Sequence, residues 1–146
     1  MRRVFDRAPS DADCDAILDG VIERTLPKAR WNHAAHVVFA VALLGRMTLE
    51  EAEETAPRLI RLYNEATGVS NTADGGYHHT ITVFFLRSIE EFLAALGDAP
   101  LAERCAAVLA SPIGAKDFPE RAYERALLES PVARLGWVEP RLGGYA

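Results

Sequence analysis

The sequence predicts an all-α fold, a single-domain irregular bundle of about six helices spanning residues 1–146. Three observations carry that expectation. Apolar residues recur at helical spacing through most of the chain, for example at Cys14, Ile17, Leu18, Val21 and Ile22. Helix-start signatures precede those runs, the clearest being Thr48-Leu49-Glu50-Glu51, a Ser/Thr-x-x-Glu capping box. Glycine and proline then punctuate the chain mostly between the runs, with Gly20 and Pro57 falling within them.

The elements follow in order. Ser10 caps a first helix, with Asp11 and Asp13 in its first turn where negative charge suits the helix dipole, and the helix runs to about Thr25. Leu26-Pro27-Lys28-Ala29-Arg30 connects it to a second helix, capped by Asn32, that continues to about Leu44 and stops at Gly45. The third begins at the Thr48 box, and Pro57 is expected to kink or divide it because proline removes a backbone donor. Its acidic group Glu50, Glu51, Glu53 and Glu54 reads as a first turn and outer face.

A stretch dense in turn formers, Gly68 to Tyr77, is too long for a minimal helix connection, and loops of that kind often carry function. The fourth helix, Thr80 to Leu96, has a wide apolar face of Ile81, Phe84, Phe85, Ile89, Phe92 and Leu93. Asp98 caps a fifth, with Pro100 in its first turn, ending near Ala110. Asp117-Phe118-Pro119-Glu120 opens a sixth to about Leu128, Ser130-Pro131 starts a short turn of helix around Val132 to Gly136, and the tail from Trp137 is irregular.

Composition narrows the function. Hydrophobic residues make up 49% of the chain and charged residues 25%, which is ordinary for a globular domain large enough to build its own core. The 16 basic and 21 acidic residues give a net charge of −5 with no basic cluster, and Lys28 and Lys116 stand alone. Nucleic acid is therefore not an expected partner. The longest apolar run, Ala34 to Leu44, is broken by His36 and falls short of the roughly 20 residues of a membrane span. Cys14 and Cys105 are far apart in sequence and read as inert core thiols. With no leader-like start, the expected location is the cytoplasm.

All four histidines fall in two places. His33 and His36 open the second helix, whose continuation Val37 to Leu44 has almost no polar face. His78 and His79 stand where the fourth helix begins. Helices two, three and four should run up, down and up, so that two and four are parallel and both pairs reach one end of the bundle. Residues at i and i+3 are neighbours on a helix, so His33 and His36 suit a single metal ion.

Adjacent helical positions diverge by about 100°. Of His78 and His79, one is thus expected as ligand and the other as acid or base, or both as ligands if His78 is still in the loop. The expected metal set is His33, His36, His78, His79 and Asp74, the last an oxygen donor in the loop, with His79 and Tyr77 handling protons. The ion itself would be zinc, iron or nickel, and the open position would take water or a small anionic substrate.

Plainer readings stand beside these. Histidine at a helix start can simply cap it, Asp74-Gly75 is a turn dipeptide, and Gly75-Gly76 lacks the rest of a phosphate loop. Trp31, Tyr63, Tyr77 and the Phe84-Phe85 pair read as core. Arg61 and Asn64 are candidate anion contacts, with a solvated helix face as the simpler account. Leu127, Leu128 and Trp137 offer an apolar surface on which two copies could pair, although no heptad supports it.

The segments Trp31-Asn32-His33-Ala34-Ala35-His36 and Gly76-Tyr77-His78-His79-Thr80-Ile81-Thr82 resemble a group of small bacterial helical proteins of unknown function, in which a YHxTIT segment recurs with His or Glu at the place of His79. Ser130-Pro131-Val132-Ala133-Arg134, followed by Trp137 and Pro140, is similar to their C-terminal pattern. The resemblance covers most of the chain. It implies a metal ligand or proton carrier at His79, since Glu and His share those roles and not ring stacking.

Overall fold

The computed structural model describes residues 9–142, and among these every regular element is helical. The sequence readings at Met1–Asp6 and Gly143–Ala146 lie outside the described residues. α1 spans Asp11–Ile22, and its Ser10 cap forms a reciprocal box with Asp13. The chain leaves α1 sooner than the expected Thr25. Arg24 takes a left-handed turn (φ 62°) and the N–H groups of Thr25 and Leu26 both fold back onto the Gly20 carbonyl.

α2, His33–Arg46, is the buried centre. Nine of its residues, Ala34, Ala35 and Val37 through Leu43, are buried. Burying each large aliphatic side chain stabilises the fold by roughly 1.5–3 kcal/mol. Gly45 does not stop this helix. It continues through Arg46, which pairs with Asp15 at 3.2 Å and Asp19 at 2.9 Å on α1, and ends where Met47 turns extended.

α3, Leu49–Ala66, carries the expected Thr48–Glu51 box and stays one helix across Pro57. A proline forfeits one donor, but the rest of an 18-residue helix and the burial of Ala56, Pro57 and Ile60 hold it together. α4, His79–Leu96, begins one residue earlier than expected, and α5 spans Leu101–Ala110. The expected sixth helix is broken. Phe118–Arg121 forms a 3-10 turn and only Arg125–Leu128 (α6) is α-helical, with α7 at Pro131–Leu135. At the break the N–H groups of Ala122 and Tyr123 close onto the Pro119 carbonyl, the Ala122 carbonyl is taken by the N–H groups of Arg141 and Leu142 from the tail, and the helical ladder restarts only at the Glu124 carbonyl.

Two cross-helix pairs set the direction of α4 against α3. Arg87 grips Glu53 at 2.9 Å, and Arg61 lies 4.6 Å over the ring of Tyr77, just before α4, so the two helices are antiparallel. α2 and α4 are parallel. The His33 ring lies 5.3 Å from that of Phe85, and Leu44 and Gly45 share a cavity wall with Leu93 and Ala94. The up, down, up course is therefore present. One contiguous apolar cluster, with Tyr63, Phe84 and Tyr123 fully enclosed, runs between these helices. Leu128 is buried in it, so the exposed apolar residues of the C-terminal segment, among those described, are Val132, Leu135 and Leu142 instead.

Candidate functional site

The two histidine pairs share an end of the bundle but not a pocket. At the far end α2 and α4 are level, Leu44 and Gly45 facing Leu93 and Ala94. At the histidine end α4 starts at His79 while His33 packs against Phe85, roughly 9 Å further along at 1.5 Å per residue. The overshoot puts His78 and His79 beyond the head of α2. Among the described residues, no three His, Cys, Asp or Glu side chains gather closely enough to hold a metal ion, so the expected four-imidazole centre is not assembled.

At the head of α2 the geometry is specific. Asn32 caps the helix through its side chain, which accepts from the Ala35 N–H at 2.9 Å. Its carbonyl accepts from the His36 N–H at 3.0 Å and lies 2.7 Å from His36 Nδ1. A carbonyl can only accept, so Nδ1 carries the proton and Nε2 is left as a lone pair. Trp31 stacks on the same ring at 3.7 Å and 26°. The indole is itself wedged edge-on against Phe39 and Tyr63, and the Tyr63 hydroxyl donates to the Leu26 carbonyl at 2.6 Å.

His33, one turn earlier, lies against the backbone of Ile113 and Gly114, and its Nε2 is buried without a hydrogen-bond partner. Solvent reaches the His36 ring, yet the bundle crowds around it. That crowding comes first, with His33 and Lys116 adding to it, in holding its pKa below the usual histidine range. Burial lowers His33 in the same way.

His78 has a different task. Its Nδ1 accepts from the Ile81 N–H at 3.1 Å, which caps α4, and its Nε2 lies 2.6 Å from the Leu128 carbonyl, to which it donates. Both ring nitrogens are spent, which corrects the expectation of His78 as a ligand. Asp74 is exposed in the loop, its backbone N–H bonded to Thr72 Oγ1 at 3.2 Å, and it joins no group of potential ligands.

Tyr77 and His79 do meet. The Tyr77 hydroxyl is 2.9 Å from His79 Nδ1. Burial pushes the phenol up to about 12, so it stays protonated and can donate to that nitrogen. Arg61 covers the Tyr77 ring, and the charges of Arg61, Glu53 and Arg87 all bear on His79. The loop leading here is pinned by Asn71, whose side chain accepts from Asn64 Nδ2 and the Tyr77 N–H, both at 3.0 Å, and donates to the Arg61 carbonyl at 3.1 Å. Asn64 is thus buried and structural rather than an anion contact or a solvated face.

Several of these partners had no signal in the sequence. Lys116, Arg87 and the Leu128 carbonyl come from distant segments, and Trp31, read as core, is half-buried and clamps His36. Among the described residues no helix is long and apolar enough to cross a membrane. Comparison of the chain with protein-family models, with curated proteins and with solved structures finds no match.

Proposed function

We propose that this protein is a small metal-dependent enzyme in which His33 and His36, at the head of α2, hold a divalent zinc, iron or nickel ion. When bound, the ion would supply Lewis-acid activation of water or of a small anionic substrate in its remaining positions. One observation carries the proposal. The Asn32 carbonyl fixes His36 in the tautomer whose Nε2 is a free lone pair, the arrangement that ligating histidines owe to the group behind them. His33 stands on the neighbouring turn, its Nε2 enclosed beside the Ile113 and Gly114 backbone with no fully formed hydrogen bond. Partial burial lowers the pKa of His33, and the crowding of the bundle, with His33 and Lys116, lowers that of the solvent-reached His36, which favours the neutral rings that coordination requires.

The charge balance supports an anionic co-ligand. Two neutral imidazoles bring no negative charge, and Lys116 adds a positive one nearby. Elemental analysis of untagged protein, followed by calorimetric titration with Zn²⁺ and Ni²⁺, tests the proposal. Wild type and His78→Asn should bind one ion per chain, whereas His33→Ala and His36→Ala should each weaken binding at least tenfold. Wild type that takes up no metal, or His36→Ala that binds as well as wild type, would overturn it.

A further inference from the structure

The Tyr77–His79–Arg61 cluster, away from the head of α2, has an arrangement of its own. With the Tyr77 hydroxyl donating to His79 Nδ1, the neutral ring carries its proton on Nε2, the tautomer that an anion at this face would select. That nitrogen is not buried, and no described residue accepts from it. Arg61 is the second donor. Its guanidinium is laid over the Tyr77 ring at 4.6 Å, and among the described residues no carboxylate lies within salt-bridge distance of it. Arg87, the other nearby cation, is spent on Glu53 through two contacts of 2.9 and 3.3 Å and on the Trp137 ring at 4.4 Å.

In that tautomer one unneutralised cation and one neutral N–H donor flank the same aromatic residue, Arg61 over its ring and His79 at its hydroxyl, with no carboxylate partner for either among the described residues. We propose that Arg61 and His79 form a binding site for the carboxylate of a small organic acid, with Tyr77 positioning both donors. The fork of a guanidinium matches the two oxygens of a carboxylate. A monoanion is favoured over a dianion because Glu53 cancels Arg87 and leaves a single positive charge. This site is independent of the metal reading, since no atom of His33 or His36 takes part.

The test is an NMR titration of ¹⁵N-histidine-labelled protein with sodium acetate at constant ionic strength, in the presence of EDTA so that no metal contributes. Acetate should shift the His79 Nε2 resonance saturably, at millimolar concentration, while chloride leaves it in place. Arg61→Ala, at an exposed position that the fold tolerates, should weaken the response at least tenfold, and Arg61→Lys should weaken it less. Tyr77→Phe should move His79 towards a mixture of tautomers and lower the affinity without abolishing it. Absence of a saturable shift, an equal shift with chloride, or an unchanged response in Arg61→Ala would each overturn the proposal. Because EDTA removes the metal, failure here leaves the reading at His33 and His36 standing.

Discussion

His78 Nε2 donates to the Leu128 carbonyl across 2.6 Å, joining residues fifty positions apart in the chain. The same ring caps α4 through Nδ1, so one side chain both starts the helix and docks the irregular C-terminal segment onto it. Neighbouring bonds repeat the arrangement. Thr80 Oγ1 donates to the Gly136 carbonyl at 2.7 Å and accepts from the Val138 N–H at 3.1 Å, while Arg134 donates to the Gly76 carbonyl at 2.8 Å. The first turn of α4 is thus a docking point, which is why its imidazole is unavailable as a ligand.

His78→Ala should therefore cost stability and leave metal affinity alone. Losing the cap costs about 0.5–2 kcal/mol, and the orphaned Leu128 carbonyl adds roughly 1–3 kcal/mol. His78→Asn keeps a cap acceptor but cannot reach Leu128, so it should recover only part of the loss. Urea denaturation of the three proteins checks this, and equal stability of His78→Ala and wild type would remove the docking role.

The pH dependence follows from burial. All four histidines are held below their ordinary pKa, desolvation being the first cause in each. Unfolding restores values near 6.5, so between that pH and the lower folded values the unfolded chain binds more protons. Stability from this source should be fully present above about pH 6.5 and be lost progressively as the solution is acidified. Unfolding free energies measured at steps from pH 7.5 to 5 should fall, before the carboxylates near pH 4 begin to contribute. A flat profile over that window would mean that the rings are not desolvated in solution.

Gly76 offers a test of the loop. Its φ of 79° lies in the left-handed region, and a Cβ there would strike the Ser70 carbonyl oxygen and come within 2.8 Å of Asn71 Cα. Both obstacles are backbone and cannot swing aside. Gly76→Ala should cost at least about 1–3 kcal/mol and disturb the Asn71 bonds that set Tyr77. In NMR spectra the His79 ring resonances should move, whereas those of His36, on another helix, should not.

The helix starts were legible because caps are local. Ser10, Asn32 and Thr48 each satisfy a donor three residues on, a distance the sequence displays directly. Helix ends were less so. Gly45 failed to stop α2 since the Arg46 pairs with α1 reward one more residue, and such pairs are long-range. The parallel course of α2 and α4 could be read from the order of elements and loop lengths, but their axial register could not. The segment Gly68 to Tyr77 places no limit on how far α4 slides along α2, and a slide of roughly two turns decides whether four imidazoles converge. The acceptor of His78 was hidden for a related reason, because Leu128 lies in a segment without helical period.

Metal linkage gives the last prediction and separates the two histidine pairs. An ion that binds only the folded protein stabilises it by an amount set by its concentration over Kd, about 2.7 kcal/mol at a hundredfold excess. For a chain of this length that corresponds to a rise in Tm of roughly 5–10 °C. Wild type melted with saturating Zn²⁺ or Ni²⁺ should show this rise, and His78→Asn should show the same increment from its lower starting Tm. His36→Ala should show none, because the Nε2 lone pair fixed by the Asn32 carbonyl is gone. The increment should also shrink in Asn32→Pro, which removes the side-chain cap and disturbs the carbonyl behind His36. If instead His78→Asn lost the increment while His36→Ala retained it, the ion would belong at the head of α4, and the tautomer argument at His36 would fail.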